Sequence, residues 1–403
     1  MNSIKNFFQD NFYFKICYLI TSLIFVTIIG EVHVISSLLS KIMLLWSAAS
    51  IIYIIYKGKE NLKSTVNYLI FILLILQGIS LVVTGISKSG IIALFINITI
   101  FFVIFDINLK KNIILKRMNN FIDLTTIILS TLSIASIILF FLKNNIKIGD
   151  NIYGYLSEKY FVGIFANENA LGISAAICAI LTLYIIIRNK NKYINILGII
   201  NIFIQGIIIL NCNCSNGQLI LLVFLWAIIF VYFRNWIFRV IYLIASFGGL
   251  GFIIHKIISS GKVESFLNGR YALWTTASKV IKNNLIFGVG EKNFLNKMIE
   301  AKTGELAGIE GGGTHNIFLQ IAVISGILVL IAFIILVLYI IIKSILNNDK
   351  VVKERKRVLN SIILSLLIAI LASNFFEANL LFIVSFIPII FWSLLGYIYK
   401  FLE

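Results

Sequence analysis

Two ionisable side chains in the segment 259–316, Arg270 and His315, are suited to chemistry on a phosphorylated substrate. The planar guanidinium of an arginine binds a phosphate or diphosphate through charge-assisted, often bidentate hydrogen bonds. An imidazole titrates near neutral pH and can take a proton from a hydroxyl group. Each residue also has a plainer interpretation. Arg270 is typical of an interfacial arginine that reaches lipid headgroups, and His315 of a helix-start residue bonded to nearby backbone.

Two further polar clusters precede apolar runs elsewhere in the chain. The stretch 167–169 (Asn-Glu-Asn) leads into one run, and 211–218 (Asn-Cys-Asn-Cys-Ser-Asn-Gly-Gln) separates two others. Each cluster alone is typical of a helix cap. If the runs cross a membrane in alternation, both clusters lie on the same face as the arginine and the histidine. Four polar clusters on one face predict a site more strongly than any one of them.

The segment that begins at Arg270 has the pattern of an amphipathic helix. Apolar and aromatic residues recur there at helical spacing, namely Tyr271, Trp274, Ala277, Val280 and Ile281. Lys279 and Lys282 fall on the opposite side. Such a helix suits the headgroup layer of a membrane. Further along, the three glycines 311–313 form either a flexible substrate gate or a solvated linker.

Composition places these segments in a membrane protein. Of 403 residues, 60% are apolar and 13% are charged, and the mean hydropathy is +1.01. Soluble domains contain about 45–50% apolar and about 25% charged residues. Runs of about 20 apolar residues, the length that crosses a bilayer as a helix, occur repeatedly. The chain is therefore predicted to be all-α, with a single polytopic membrane domain over residues 1–403.

Apolar runs predict about twelve transmembrane helices. They lie at 14–30, 32–56, 66–86, 90–105, 121–142, 169–187, 194–210, 219–233, 240–258, 317–345, 359–376 and 380–399. The first run follows a polar stretch without a small-residue cleavage site, so it is predicted to be an uncleaved helix. The longest connection, 259–316, is predicted to be a large extracytoplasmic loop that contains amphipathic helices. We find no internal repeat, which weighs against inverted-repeat transporters.

The basic residues predict the orientation of the helices. With the N-terminus in the cytoplasm, 21 of the 34 Lys and Arg residues fall in or beside inside connections and 12 in or beside outside ones. Eight of those 12 belong to the long 256–316 stretch, whose length weakens its topological effect. Both termini are therefore predicted to be cytoplasmic. The formal charge of +17 is explained by this asymmetry, so nucleic acid is not expected as a partner.

Residues that bind metals are scarce in this chain. It has four cysteines and three histidines without metal-ligand spacing, so no metal site and no cofactor are predicted. Cys212 and Cys214 are more typical of small semi-buried residues than of a disulfide. A few ionisable residues near predicted helix limits are functional candidates by default, namely Lys41, Asp123, His255, Glu377 and the 31–33 turn.

Five segments between about residues 160 and 330 resemble, in order, those of the O-antigen ligase/polymerase superfamily, which includes Wzy-type bacterial polysaccharide polymerases. They are 165–172 (Phe-Ala-Asn-Glu-Asn-Ala-Leu-Gly), 215–218 (Ser-Asn-Gly-Gln), 269–274 (Gly-Arg-Tyr-Ala-Leu-Trp), 284–290 (Asn-Leu-Ile-Phe-Gly-Val-Gly) and 315–319 (His-Asn-Ile-Phe-Leu). Each segment is degenerate, but their order, the helix count and the late large loop make the resemblance specific. It implies a GT-C-like membrane glycosyltransferase.

The resemblance also implies roles for individual residues. Arg270 would bind the diphosphate of a lipid carrier, and His315 would be the catalytic residue. The accompanying substrate-binding candidates are Asn316, Ser215, Asn216, Asn169 and Glu168. The sequence departs from the family pattern where Ser-Arg is replaced by Ser215-Asn216, which removes one diphosphate-binding arginine. Lys262 and Lys292 are the candidate replacements for that cation.

Together these features predict a polymerase that joins undecaprenyl-diphosphate-linked oligosaccharide repeat units into capsular or surface polysaccharide, outside the bacterial plasma membrane. The diphosphate leaving group is already a stable anion. A cation on its developing charge and a base near the attacking hydroxyl therefore suffice for metal-independent, inverting transfer. Membrane lipid, a flippase and a chain-length regulator are the expected partners. Two alternatives stay open: a ligase that uses another acceptor, and a lipid-linked oligosaccharide flippase or transporter.

Overall fold

A computed structural model describes residues 2–57, 64–106, 109, 111–149, 151–157, 160–261, 263–302, 304–306, 308–309 and 313–403. Within these ranges, nine helices are long and apolar enough to cross a membrane. Three shorter apolar helices occupy the remaining predicted runs, at Asn11–Phe25, Lys88–Ile104 and Phe386–Leu402. The prediction of an all-α polytopic membrane protein is confirmed.

The described residues of the first half of the chain form six helices. They are α1 (Asn2–Gln9), α2 (Asn11–Phe25), α3 (His33–Lys57), α4 (Thr65–Val83), α5 (Lys88–Thr99), which continues as a π-helical turn (Ile100–Ile104), and α6 (Ile114–Phe141). Short 3₁₀ turns occur at Ile28–Glu31 and Lys111–Ile113. Side-chain oxygens accept from the first free amides of several helices, as Asp10 does for α2, Ser64 for α4 and Ser87 for α5.

A three-stranded sheet follows α6, in a connection for which the sequence predicted no regular structure. It consists of β1 (Asn145–Ile148), β2 (Asn151–Ser157) and β3 (Tyr160–Gly163) in antiparallel order β1-β2-β3. In its register, Ile146 pairs with Tyr153. The sheet docks on the turn after α2, because the Oε1 atom of Glu31 accepts hydrogen bonds from Asn151 and from the Tyr153 hydroxyl.

The second half of the chain contains the remaining eleven described helices. They are α7 (Glu168–Arg188), α8 (Lys192–Asn211), α9 (Ser215–Tyr232), α10 (Trp236–Ser259), α11 (Val263–Phe266), α12 (Arg270–Asn283), α13 (Phe294–Glu300), α14 (Ile317–Ser325), α15 (Ile327–Asp349), α16 (Glu354–Ser373) and α17 (Phe386–Leu402). A 3₁₀ turn (Glu291–Asn293) precedes α13. The helices predicted within the 259–316 loop are therefore present.

Two predicted helix boundaries near the C-terminus are wrong. The run predicted as one helix at 317–345 divides at Gly326, which has φ +86°. A Cβ atom there would lie 2.0 Å from the carbonyl oxygen of Ile286, so a side chain would block the passing segment. The helix predicted from 380 begins only at Phe386, which leaves residues 374–385 without helix. That non-helical segment becomes important at the site.

The core of the bundle lies around α7, α16 and α17. Helix α17 is buried along nearly its whole length, with Trp392 fully enclosed. Helix α10, by contrast, has no buried residue. A buried ion pair joins α2 to the segment after the π-helical turn, because Lys15 Nζ lies 3.3 Å from Asp106 Oδ2. A charge at this depth is tolerated only when it is paired.

The two ends of the bundle differ in charge. At one end, Arg355 donates to the last carbonyl oxygens of α7, at 2.7 Å from Arg188 O, and Arg239 forms a bidentate pair with Asp349 at 2.7 and 2.8 Å. Cations there also suit the negative ends of helix dipoles. Helices α7, α9 and α14 begin at the opposite end. The arginine and histidine singled out in the sequence lie at this second end.

Candidate active site

A buried carboxylate, Glu377, is the point at which the predicted site residues meet. Its Oε1 atom accepts hydrogen bonds from Asn216 Nδ2 at 2.9 Å, Asn169 Nδ2 at 3.3 Å and Arg270 Nη2 at 3.4 Å. Its Oε2 atom lies 3.5 Å from Nδ1 of His315. Four residues that the sequence patterns indicated separately therefore surround one carboxylate.

Glu377 belongs to the non-helical segment between α16 and α17, which the core holds in place. The backbone N–H of Phe382 donates to Oδ1 of the buried Asn97 at 2.9 Å. The indole N–H of Trp392 donates to the carbonyl oxygen of Leu380 at 3.0 Å. Non-helical backbone at membrane depth needs such partners. The carboxylate is therefore carried by a fixed backbone.

The turn at His315 is held by contacts from both neighbouring helices. The indole N–H of Trp274, on α12, donates to the carbonyl oxygen of Thr314 at 3.1 Å. Gln320, on α14, accepts from the Thr314 backbone N–H at 2.9 Å. His315 itself has φ +47°, a conformation that is costly for a residue with a Cβ atom. These clamps enforce the position of the imidazole.

The two ring nitrogens of His315 have different surroundings. No residue among those described hydrogen-bonds its Nδ1 atom, which faces Glu377 at ion-pair distance. A Cβ atom added at Gly308 would lie 3.0 Å from the Nε2 atom. The absence of a side chain at Gly308 leaves room for this nitrogen, and the His315 side chain as a whole is 20% exposed. Catalytic contacts in a substrate-free site are often long and shorten when substrate binds.

Arg270 is the first residue of α12 and follows a tight turn. Asn268 and Gly269 both adopt left-handed conformations, with φ +48° and +78°. The Arg270 side chain is only 17% exposed and contacts Glu377. This contact favours a site residue over an arginine that reaches bulk headgroups. The buried face of α12 consists of Leu273, Thr276, Ala277 and Val280, whereas Tyr271, predicted for the apolar face, is 48% exposed.

A close approach of α7 and α9 brings their two asparagines to Glu377. A Cβ atom at Gly217 would lie 2.6 Å from the carbonyl oxygen of Gly172. Only glycine at this crossing lets the helix starts approach closely, and Asn169 and Asn216 lie on those starts. The asparagine that stands where the family pattern has arginine therefore hydrogen-bonds the carboxylate.

Two cavities meet at His315. The smaller, of about 310 Å³, is lined by polar residues, namely Glu168, Asn169, Asn213, Ser215, Asn216, Asn268, Arg270, Gly308 and His315. The larger, of about 790 Å³, shares Asn169, Gly308 and His315 with it. It also contacts Glu377 and extends along the apolar segment 381–387. This volume lies within the range of about 300–1,000 Å³ that is usual for small-molecule sites.

Backbone strain is concentrated at these cavities. Six non-glycine residues among those described have positive φ. Three of them, Asn213, Asn268 and His315, line the small cavity, and a fourth, Phe382, lines the large one. Strain of about 1–3 kcal/mol per residue persists only where the surroundings enforce it, and it clusters at functional sites. The concentration of strained residues around the two cavities supports this region as a candidate active site.

The remaining sequence candidates have different surroundings. Ser215 lines the small cavity, and Glu168 lines it while accepting from the Tyr160 hydroxyl at 3.0 Å. Asn316 caps α14, because its Oδ1 accepts from Phe318 N and Leu319 N. Its predicted role in substrate binding stays a prediction. Of the two replacement cations, Lys292 is exposed, and Lys262 lies outside the described residues, as do Gly311 and Gly312 of the predicted gate or linker.

Residues 160–334 match the family model of the O-antigen ligase, Wzy_C. The matched segment is similar to an O-antigen ligase domain. The resemblance to the O-antigen ligase/polymerase superfamily is thereby confirmed, and the family indicates glycan transfer in a membrane. No curated protein matches the chain. The matched domain contains Arg270 and His315, whereas Glu377 lies beyond it.

Glu377 was identified in the sequence only as one of several ionisable residues near helix limits. One stronger signal was present, because Glu377 is the only acidic residue between Glu354 and Glu403. A lone carboxylate in an apolar stretch needs a buried partner. The sequence does not indicate which partner, because Arg270 is 107 residues away and four described helices, α13 to α16, separate α12 from this segment.

Proposed function

We propose that this chain is a polymerase that joins undecaprenyl-diphosphate-linked oligosaccharide repeat units into capsular or surface polysaccharide. The observation that carries the proposal is the convergence of Arg270, His315 and Glu377 between a polar cavity and a larger, partly apolar one. An arginine beside a polar pocket suits a diphosphate. An imidazole that lines both cavities suits removal of a hydroxyl proton.

The proposed reaction is a direct displacement at the anomeric carbon. The acceptor hydroxyl oxygen bonds to this carbon while the bond from carbon to diphosphate oxygen breaks, and the bonding electrons leave with the lipid diphosphate. The hydroxyl proton goes to Nε2 of His315. The guanidinium of Arg270 stabilises the charge that develops on the leaving diphosphate. Attack opposite to the leaving group inverts the anomeric configuration.

Glu377 has two tasks in this mechanism. Its carboxylate faces Nδ1 of His315 at 3.5 Å and so stabilises the imidazolium that forms when Nε2 takes a proton. It also holds Arg270 in place until substrate arrives. The dissociating diphosphate carries negative charge, so Arg270 then has a second, competing partner. When Arg270 turns from Glu377 to the diphosphate, the contacts of Glu377 change. Because Glu377 also faces His315, donor binding is linked to the base.

The acceptor is the point on which polymerase and ligase differ. A composition rich in Ile, Lys and Asn is associated with AT-rich genomes and single-membrane bacteria, which favours a polymerase over a lipopolysaccharide ligase. We place the reaction on the outer face of the plasma membrane, with both termini cytoplasmic. The basic end of the bundle, opposite the site, supports this orientation. A flippase and a chain-length regulator would act beside it.

Mass analysis of lipid-linked oligosaccharides in a deletion strain tests the proposal. A polymerase predicts accumulation of single exported repeat units and loss of long polymer. Absence of exported repeats would instead identify a flippase. Polymer of normal length that stays on its lipid carrier would identify a ligase. A deletion strain complemented with the wild-type chain is the control.

A further inference from the structure

The large cavity is lined by a partly buried carboxyl group that the mechanism does not use. Glu291 lines this cavity together with His315 and Glu377. Among the described residues, none hydrogen-bonds its Oε2 atom, which is shielded from solvent. Leaving a buried polar atom without a partner costs about 1–3 kcal/mol, and more when the group is charged. Rotation of the side chain would bring this oxygen to a hydroxyl donor of a substrate in the cavity, which would remove that cost.

The backbone around Glu291 is rigidly placed. Val289 N donates to Val323 O at 2.8 Å, and Gly290 N donates to Ile324 O at 2.9 Å, which pins the preceding residues to α14. Gly290 has φ +76°, and a side chain there would collide with Thr84 at 2.6 Å. The backbone that carries the Glu291 side chain is therefore fixed beside the cavity. The Glu291 side chain therefore begins at a fixed point of the cavity wall.

The charges that line the large cavity differ from those of the small one. Its described lining includes two carboxylates, Glu291 and Glu377, and neither lysine nor arginine. The small cavity contains Arg270, which suits the diphosphate. An anionic diphosphate is therefore disfavoured in the large cavity, whereas uncharged hydroxyl groups can donate to carboxylate oxygens there.

We infer that the large cavity binds the end of the acceptor glycan and that Glu291 is its specificity-determining residue, accepting hydrogen bonds from the acceptor sugar. The inference rests on the proposed glycosyl transfer. It defines the substrate class further: the acceptor sugar is neutral or carries an amine, and is not a uronic acid. A uronic acid would bring a third carboxylate into a pocket that offers no described lysine or arginine.

The test uses the full-length chain in lipid nanodiscs with lipid-linked single repeats as donor. The varied acceptor is the free repeat oligosaccharide, blocked at its reducing end. Glu291→Gln should raise the KM for the acceptor about 10- to 100-fold, as expected when a hydrogen bond to a charged group is weakened. Binding of undecaprenyl diphosphate alone should be unchanged. The Tm should stay equal or rise, because a buried carboxylate without a partner is removed. Glu300→Gln, at an exposed glutamate paired with Lys297 at 2.6 Å, is the matched control.

A second measurement compares acceptors that end in a neutral hexose, its amine or its uronic acid. Wild type should reject the uronic acid, and Glu291→Gln should reduce that discrimination. Unchanged acceptor KM together with a lower Tm would make Glu291 a structural residue and overturn the inference. Weakened binding of undecaprenyl diphosphate, or equal use of the uronic acid by wild type, would overturn it as well. Absence of any glycosyl transfer by the wild type would instead refute the proposed function.

Discussion

Replacement of Glu377 by Gln separates catalysis from donor binding, because the two should change in opposite directions. Gln keeps an oxygen that can accept from Asn216 and Asn169, but it removes the charge that faces Arg270 and His315. At 3.5 Å and an effective dielectric constant of about 20, a carboxylate stabilises an imidazolium by up to about 5 kcal/mol before solvent competition. If about 3–4 kcal/mol of this survives in the transition state, kcat falls about 10²- to 10³-fold.

The assay measures both quantities on the same preparation in nanodiscs. Turnover is followed as polymer formed from lipid-linked repeats, and binding is titrated with undecaprenyl diphosphate. Binding should stay equal or become tighter in Glu377→Gln, because Arg270 loses its competing carboxylate. Glu354→Gln serves as the control, since that glutamate accepts from the Tyr232 hydroxyl at the opposite end of the bundle. Wild-type kcat, or joint loss of binding and turnover, would refute the role given to Glu377.

Four further predictions follow from the same arrangement. His315→Gln should be as inactive as His315→Ala, with kcat reduced about 10²- to 10⁴-fold and donor binding retained, because neither side chain takes a proton at neutral pH. Arg270→Lys should weaken binding of undecaprenyl diphosphate, because it loses the planar fork, and Arg270→Ala should weaken it more. Cysteine at Glu305 should react with an impermeant thiol reagent in intact cells, and cysteine at Lys353 should not. Burial raises the pKa of the Glu291 carboxyl, so the folded state holds this proton more tightly than the unfolded state. Its contribution to stability is present below the ordinary carboxyl pKa of about 4.3 and is lost as pH rises through the raised pKa, so the Tm of wild type should fall relative to Glu291→Gln over that range.

Each of these predictions has a control or a contrary outcome. His255→Gln, at an exposed histidine of α10, should be fully active, and retained turnover in His315→Gln would make that histidine a scaffold residue. Lys279→Gln, on the exposed side of α12, should bind donor normally. Normal polymer formation by Arg270→Ala would mean that Arg270 contacts only lipid headgroups. Reversed thiol labelling would show that the orientation is the opposite of the predicted one. Parallel curves of Tm against pH for wild type and Glu291→Gln would contradict the raised pKa of Glu291.

The helices were largely predictable from sequence because the bilayer demands long apolar runs. The exceptions have local causes that hydropathy does not detect. Gly326 breaks a continuous apolar run because another segment passes within contact distance, and residues 374–385 stay non-helical because Asn97 and Trp392 supply partners for their backbone. The sheet at 145–163 had a usable signal, since Asn-Ile-Lys-Ile before a Gly-Asp turn alternates as a strand does.

The site was predictable in its parts but not in its centre. Arg270 and His315 are conspicuous in sequence because their side chains suit phosphate binding and proton transfer and because they lie in recognisable segments. Asn216 was predicted to bind substrate although it departs from the family pattern, and its hydrogen bond to Glu377 gives the departure a structural role. Glu291 has no sequence signal that sets it apart from the other glutamates of the 259–316 loop. Its burial depends on the packing of Gly290 against Thr84, which sequence spacing does not show.

The position of Glu377 late in the chain sets the order in which the site is completed during synthesis. Arg270 leaves the ribosome 107 residues ahead of its carboxylate partner. At about 5–20 residues per second, that interval lasts on the order of 5–20 s. During this interval the nascent chain gains His315 but still lacks the carboxylate that contacts both Arg270 and His315. Only insertion of the segment between α16 and α17 closes the cluster, so under the proposed mechanism a partly translated chain should not transfer glycan.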